Sequence, residues 1–470
     1  MNLRKRFMAN VMVAALTTTM ALSLSACSNG SKEATTSAQA ETKAEAGNVE
    51  ATTEATIEAT EATEATEATE ATSASAFTTV DKTEYPEFIT RAIVNESNCY
   101  RIQEFLKRAE AGEELTIGFI GGSITQGSGA SKYDNCYAHR VFNWFVETFP
   151  QSTFKEVNAG IGATTSELGA ARIQEDLLSY KPDFVVLEFS VNDSDSFFYA
   201  RTYEGCVRQI LTAENAPALI TLNMVQYNDG VNAQIKHSAV SKNYSVPEVS
   251  MKNSVYVEIT KGNIEASDVS KDMLHPNDLG HEYTAKCVTY YLSKILDGTY
   301  SSEADTEIPS VIYEGNAFLS SVRLNNKSLT NDVAKGAGLS NFAVELNGFE
   351  EDTAVQNGVS DCFKNGWSAK EEGASITLTG LKGSRIALLY QRKPSMKSAN
   401  AIAILDGDEA NAVSLDGNFE NGWGNWLYLD DNGAFEDLDP SVEHTVEIRI
   451  VEAGEQDFYL ASVLVSGIEK

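Results

Sequence analysis

A carboxylate and an imidazole stand three residues apart in Asp272-Met273-Leu274-His275, and the run closes on Pro276-Asn277. In a turn, Asp and His at i and i+3 can meet, so that the carboxylate holds one ring nitrogen and the other is left to take a proton from a hydroxyl. The candidate hydroxyl belongs to Ser123 in Gly121-Gly122-Ser123-Ile124-Thr125-Gln126-Gly127, directly after the apolar run 115–120. A Ser behind two glycines at the end of a buried strand is exposed where the backbone lets a substrate come close. The same letters also suit a Gly-rich turn with a Ser helix cap, and Asp272 could simply cap the helix that follows. The block does not match the G-x-S-x-G nucleophile elbow.

Acyl transfer through a Ser requires donors aimed at the oxyanion that develops on the substrate. Two further polar blocks could supply them. Asn158-Ala159-Gly160-Ile161-Gly162-Ala163-Thr164 offers backbone N–H groups, and Ser190-Val191-Asn192-Asp193 offers the Asn192 amide. Of the other histidines, His281 reads as packed or surface, His139 as a helix residue and His444 as solvent-facing, while the region of His237 has no clear element.

These blocks need a scaffold, and the apolar pattern provides one. Runs 115–120, 154–158, 184–189 and 218–224 read as buried strands, and 137–149, 166–180 and 279–296 as helices. Strands alternating with helices predict a parallel sheet covered on both faces, with chemistry at the carboxyl ends of the strands. From about 301, Gly, Asn and Asp become frequent and short runs such as 374–378, 386–390, 445–450 and 458–465 appear. That texture predicts an antiparallel β-sandwich.

Taken in order, Gly-Gly-Ser, Asn-x-Gly-x-Gly, Val-Asn-Asp and Asp-x-x-His-Pro resemble the blocks of the SGNH hydrolase superfamily, the GDSL-like esterases, over 115–296. The resemblance implies a flavodoxin-like three-layer α/β/α domain with about five parallel strands, and no metal or other cofactor. It implies Ser123 as nucleophile and oxyanion N–H donor, Asn192 as side-chain oxyanion donor, His275 as base and Asp272 as its partner. Two departures stand out. Gly-Gly-Ser-Ile replaces Gly-Asp-Ser-Leu, and the family's oxyanion glycine falls at Ala163, with Gly162 just before it. An Ala N–H can serve if its φ is negative, so the choice between Gly162 and Ala163 stays open.

The 470 residues divide on this reading into a leader at 1–27, a tether at 28–76, the hydrolase domain at 77–300 and the sandwich at 301–470. Arg4, Lys5 and Arg6 precede an apolar stretch that ends in Leu24-Ser25-Ala26-Cys27, which resembles a bacterial lipobox with Cys27 as the lipidated residue. The Glu-Ala-Thr repeat at 58–72 has nothing to bury, and the segment reads as a flexible, self-repelling acidic tether that holds the folded part away from the membrane. A net charge of −31 leaves no basic surface for nucleic acid. The cysteines are scattered, without a CxxC or a Cys/His cluster, so buried thiols are expected in place of a zinc site. Trp367, Trp423 and Trp426 could stack on sugars or fill a core. Compartment and neighbouring domain together suggest an esterase that removes O-acetyl groups from a polysaccharide. The alternatives are a lipase or thioesterase, and a non-catalytic glycan-binding surface lipoprotein.

Overall fold

A computed structural model of the protein describes residues 85–469, except 421 and 430–434. The expected leader, its lipidation site Cys27 and the tether at 28–76 lie outside the described residues.

The first sheet contains β1 (Ile93–Asn95), β2 (Glu114–Gly121), β3 (Thr153–Gly160), β4 (Phe184–Glu188), β5 (Ala218–Asn223) and β6 (Glu248–Ser250), in the order β1-β6-β5-β4-β2-β3. Strands β2 to β6 are parallel, five in all, and β1 adds an antiparallel edge. β4 and β5 are buried along their whole length. A strand covered on both faces has no polar side to show, which is why Phe184-Val185-Val186-Leu187 reads as an unbroken apolar run.

The main helices of this domain are α1 (Tyr100–Glu110), α2 (Tyr137–Thr148), α3 (Ser166–Asp176), α4 (Phe197–Leu211), α5 (Gln234–Asn243) and α6 (Asp278–Leu296). Phe105 of α1, Phe145 of α2 and Val288 of α6 pack on one sheet face around Phe119 and Val186. Ile173 of α3, Val207 of α4 and Val240 of α5 pack on the other around Val185 and Leu187. The result is the expected three-layer α/β/α domain. The helix expected over 166–180 is shorter than its pattern, because α3 stops at Asp176 and a separate 3-10 turn covers Leu178–Tyr180.

The remaining strands build two antiparallel sheets. One contains β7 (Ser321–Leu324), β9 (Glu350–Glu351), β10 (Trp367–Ala369), β12 (Arg385–Arg392), β15 (Trp426–Leu429) and β17 (Phe458–Ser466). The other contains β8 (Ala343–Asn347), β11 (Ser375–Leu381), β13 (Asn400–Leu405), β14 (Val413–Leu415) and β16 (His444–Glu452). Leu388, Tyr390, Leu460 and Val463 of the first sheet meet Ile376, Leu378, Ala401 and Ile448 of the second, with Trp367 fully buried among them. This is the β-sandwich, and Trp367 belongs to its core. His444 is a correction: it is buried, and its Nδ1 lies 2.7 Å from Asp406 Oδ2.

β12 and β17 are buried on both faces because the outer face of their sheet is also covered. Leu389, Leu427 and Leu464 pack there against Ile161, Leu168 and Ala171 of the hydrolase domain. Each large apolar side chain buried in this way contributes roughly 1.5–3 kcal/mol. Between α6 and β7 the chain is strapped along α4. The buried Glu204 accepts from Ile312 N at 2.6 Å and Asn316 Nδ2 at 2.9 Å. Arg208 donates to Pro309 O at 2.7 Å, and Arg201 to Gly315 O at 3.0 Å.

Candidate active site

Gly160, Gly121 and Glu188 align at the carboxyl ends of β3, β2 and β4. There β2 runs into a single helical turn, Ser123–Gln126, whose first residue is Ser123. The first N–H groups of a helix have no partner within it, so the Ser123 N–H emerges unspent beside its own hydroxyl. The turn is held from three sides. Thr125 Oγ1 lies 2.8 Å from Tyr137 OH, Asn158 Nδ2 donates to Thr125 O at 2.8 Å, and Gln126 Oε1 accepts from Gly162 N at 2.7 Å.

His275 reaches the turn from the loop before α6. Its Nε2 lies 2.8 Å from Ser123 Oγ, and its Nδ1 lies 2.6 Å from Asp272 Oδ2. A carboxylate can only accept, so Nδ1 carries the proton and Nε2 is the acceptor that faces the Ser hydroxyl. Asp272 Oδ1 also accepts the backbone N–H of His275 at 2.7 Å and of Leu274 at 3.0 Å. Partial burial pushes the Asp272 pKa up, but the hydrogen bonds from His275 and Leu274 outweigh it and hold the carboxyl down at about 2. The loop geometry depends on Met273, which adopts a left-handed φ of 66° and whose carbonyl accepts Tyr227 N at 2.8 Å. On the other side of Pro276, Asn277 caps α6 by accepting Leu279 N and Gly280 N. Asp272 therefore serves the imidazole, and the capping falls to Asn277.

The Asn192 amide packs against Gly122. A Cβ added to Gly122 would come within 2.8 Å of Asn192 Oδ1, so a side chain there would have to displace the Asn192 amide. Gly162 also borders Ser123, since a Cβ there would sit 3.7 Å from Ser123 Cβ. Its N–H, however, is given to Gln126, whereas the Ala163 N–H makes no hydrogen bond among the described residues. Ala163 departs from expectation in its backbone: φ is +56°, the left-handed region, so the negative φ that would make Ala an easy replacement is not present. A non-Gly residue there costs about 1–2 kcal/mol.

The remaining histidines are engaged elsewhere. His281 accepts Tyr137 N at Nδ1 and pairs Nε2 with Ser128 O, each at 3.1 Å, and burial pulls its pKa down to about 4. His139 pairs with Glu156 at 2.7 Å. His237 is fully buried against Asp193, with Nε2 3.0 Å from Oδ2. Asp193 Oδ1 also accepts Ser166 N at the start of α3. Sequence reasoning gave no role to Gln126, Asp193 or His237. The Asn-Asp pair of the third block was the one available signal for Asp193. Cys99, Cys136, Cys206 and Cys287 are free and buried, and Cys362 is half-buried. Trp423 is exposed and clusters with Trp426 and Phe419, with ring centroids 5.0 to 6.0 Å apart.

Residues 119–283 match the GDSL-like lipase/acylhydrolase family. Two crystal structures of a two-domain esterase active on acetylated mannans are similar over both domains. One was co-crystallised with mannopentaose; it is 39% identical, with a TM-score of 0.74, over 81% of this chain and 98% of that one. The other is 39% identical, with a TM-score of 0.75, over 81% of this chain and 99% of that one. No curated protein sequence matches the chain. Fold, site and similarity define a carboxylic ester hydrolase. The chain belongs to the GDSL-like lipase/acylhydrolase family, within the SGNH hydrolase superfamily.

Proposed function

We propose that this protein is an acetyl-polysaccharide esterase acting on acetylated mannan, with Ser123 as nucleophile, His275 as base and Asp272 as the group that orients it. The observation that carries the chemistry is the unbroken chain from Ser123 Oγ to His275 Nε2 and from Nδ1 to Asp272 Oδ2, at 2.8 and 2.6 Å. Likeness to a mannan-active esterase across both domains supports the substrate class.

His275 Nε2 takes the Ser123 proton as Oγ attacks the acetyl carbonyl. The oxyanion meets the N–H groups of Ser123 and Ala163 and the Asn192 amide. Collapse breaks the bond to the sugar oxygen, which takes the proton from Nε2 and leaves as the free hydroxyl, and an acetyl ester remains on Ser123. Water, deprotonated by Nε2, then attacks that ester, and acetate leaves as the proton returns to Ser123. Asp272 stays ionised and stabilises the imidazolium of each half-reaction. Gly162, with its N–H held by Gln126, shapes the hole and leaves donation to Ala163.

The test is acetate release from acetylated mannan, acetylated xylan and long-chain acyl esters by the parent and by Ser123→Ala. Release from mannan that is lost in the variant is the expected result. Hydrolysis of long-chain esters without deacetylation of either glycan would overturn the polysaccharide reading. The lipid anchor at Cys27 is part of the same proposal, supported by Leu24-Ser25-Ala26-Cys27, and would place the enzyme outside the cell membrane. Its check is metabolic labelling with a fatty-acid analogue, which Cys27→Ala should abolish.

A further inference from the structure

Arg172 on α3 is fully buried, and the chemistry above makes no use of it. Its Nη2 donates to Gly121 O at 3.2 Å, the carbonyl that leads into Gly122 and Ser123. The same oxygen accepts Ile161 N at 3.2 Å, immediately before Gly162. Gly121 O therefore commits one lone pair to the oxyanion segment and the other to Arg172. The guanidinium is fixed in turn by Asp176, with Nη1 3.2 Å from Oδ2. The second oxygen of Asp176 accepts Arg323 Nη2 at 2.7 Å, and that nitrogen also meets Glu175 Oε2 at 2.7 Å. Arg323 lies on β7, the first strand of the sandwich.

We propose that Arg172 is a positioning residue for the nucleophile turn, and that the β-domain sets it through Arg323 and Asp176. Two guanidinium groups share one carboxylate. While Arg323 occupies Oδ1, Arg172 has a single oxygen to bind and its other amino group is left for Gly121 O. Without Arg323, Asp176 can turn both oxygens to Arg172. Bidentate pairing is the stronger geometry and pulls the guanidinium toward Asp176, which lengthens the Nη2 contact to the Gly121 carbonyl. The sandwich then contributes to rate as well as to fold. This inference rests on Ser123 being the nucleophile.

The experiment uses the full chain carrying Arg323→Met, Arg172→Met or both, assayed on p-nitrophenyl acetate where circular dichroism shows each variant folded. If Arg172→Met does not fold, Arg172→Lys takes its place. Each single variant is expected to lower kcat about ten-fold with KM unchanged, since small displacements of a nucleophile are costly. The double variant should fall no lower than the Arg172 variant alone, because both act through one path. Arg323→Lys, which keeps a cation on Asp176, should restore most of the rate. Parental kcat in Arg323→Met, or additive losses in the double variant, would overturn the proposal. Amide hydrogen exchange decides it independently of turnover: exchange over 119–127 and 160–165 must rise in Arg323→Met, and unchanged exchange refutes the positioning role. If Ser123→Ala keeps full esterase activity, the nucleophile assignment fails, while the exchange result still judges the coupling.

Discussion

His275 lies 2.6 Å from Asp272, and His237 lies 3.0 Å from Asp193. Both pairs match an imidazole with a carboxylate, yet their surroundings separate them. The second nitrogen of His275 meets a hydroxyl at a partly open surface. His237 is sealed, its ring stacked on Tyr203 at 3.6 Å between centroids, and its Nδ1 has no hydrogen-bond partner among the described residues. Asp193 spends its other oxygen on the N-terminus of α3. Pairing alone does not make a base. What matters is where the unpaired nitrogen points, and whether a substrate can reach it. The buried pair staples α3 and α5 to the loop that carries Asn192.

The comparison breaks most directly on rate. Ser123→Ala or His275→Ala should lower kcat on the order of a million-fold with little change in urea midpoint. His237→Ala should do the reverse, costing about 3 kcal/mol of stability by leaving Asp193 buried without its ring partner, with kcat reduced ten-fold at most. Comparable loss of kcat from both histidines in folded protein would erase the distinction. Asp272→Asn should cost about ten-thousand-fold in kcat by disturbing the tautomer. Because Asp272 is held near pH 2, its own protonation should leave no mark on pH–rate profiles above about pH 4. Asn192→Ala should cost about a hundred- to a thousand-fold in kcat, the usual weight of one oxyanion donor, with KM little changed.

Another buried imidazole, that of His281, sharpens the contrast through pH. Burial holds the pKa of His281 at about 4 in the folded protein, below the ordinary imidazole value of 6.5. The unfolded chain therefore binds the extra proton between those values, and the contribution of His281 to stability is lost as pH falls from about 6.5 through 4. The stability gap between the parent and His281→Gln should widen by as much as about 3 kcal/mol from pH 4 to pH 7 in urea titrations. Glu188 works in the opposite sense, because burial raises its carboxyl to about 7 from 4.5, so only a difference between parent and variant isolates the histidine. The smallest effect concerns Ala163. Ala163→Gly should raise stability by about 1 kcal/mol by relieving the left-handed backbone, with acetate release retained.

The parallel strands were legible because strands buried on both faces must be apolar, and the candidate site was legible because its blocks fall at strand ends or just before a helix. β6 escaped notice, being three residues that include the buried Glu248. α5 was obscured for a related reason: it turns His237 and Ser241 inward along with Val240, so its buried side is not an apolar stripe. On α3, Glu167, Arg172 and Asp176 look like a solvated face, but they are buried, and Glu167 pairs with Arg385 of the sandwich at 2.6 Å. Local pattern reports burial by water-free carbon. It does not report burial beneath a second domain that brings its own charges. The role of Gln126 was invisible for a different reason, since it depends on a backbone N–H 36 residues away.

The strap along α4 governs how the molecule comes apart. Glu204, Arg201 and Arg208 commit backbone groups of the connector to the hydrolase domain, so the sandwich is not a bead on a free string. A protease entering at 309–316 must first peel the strap from α4, and heat must dissolve the Arg385–Glu167 contact with it. Calorimetry of residues 79–470 is therefore expected to record one cooperative endotherm in place of two.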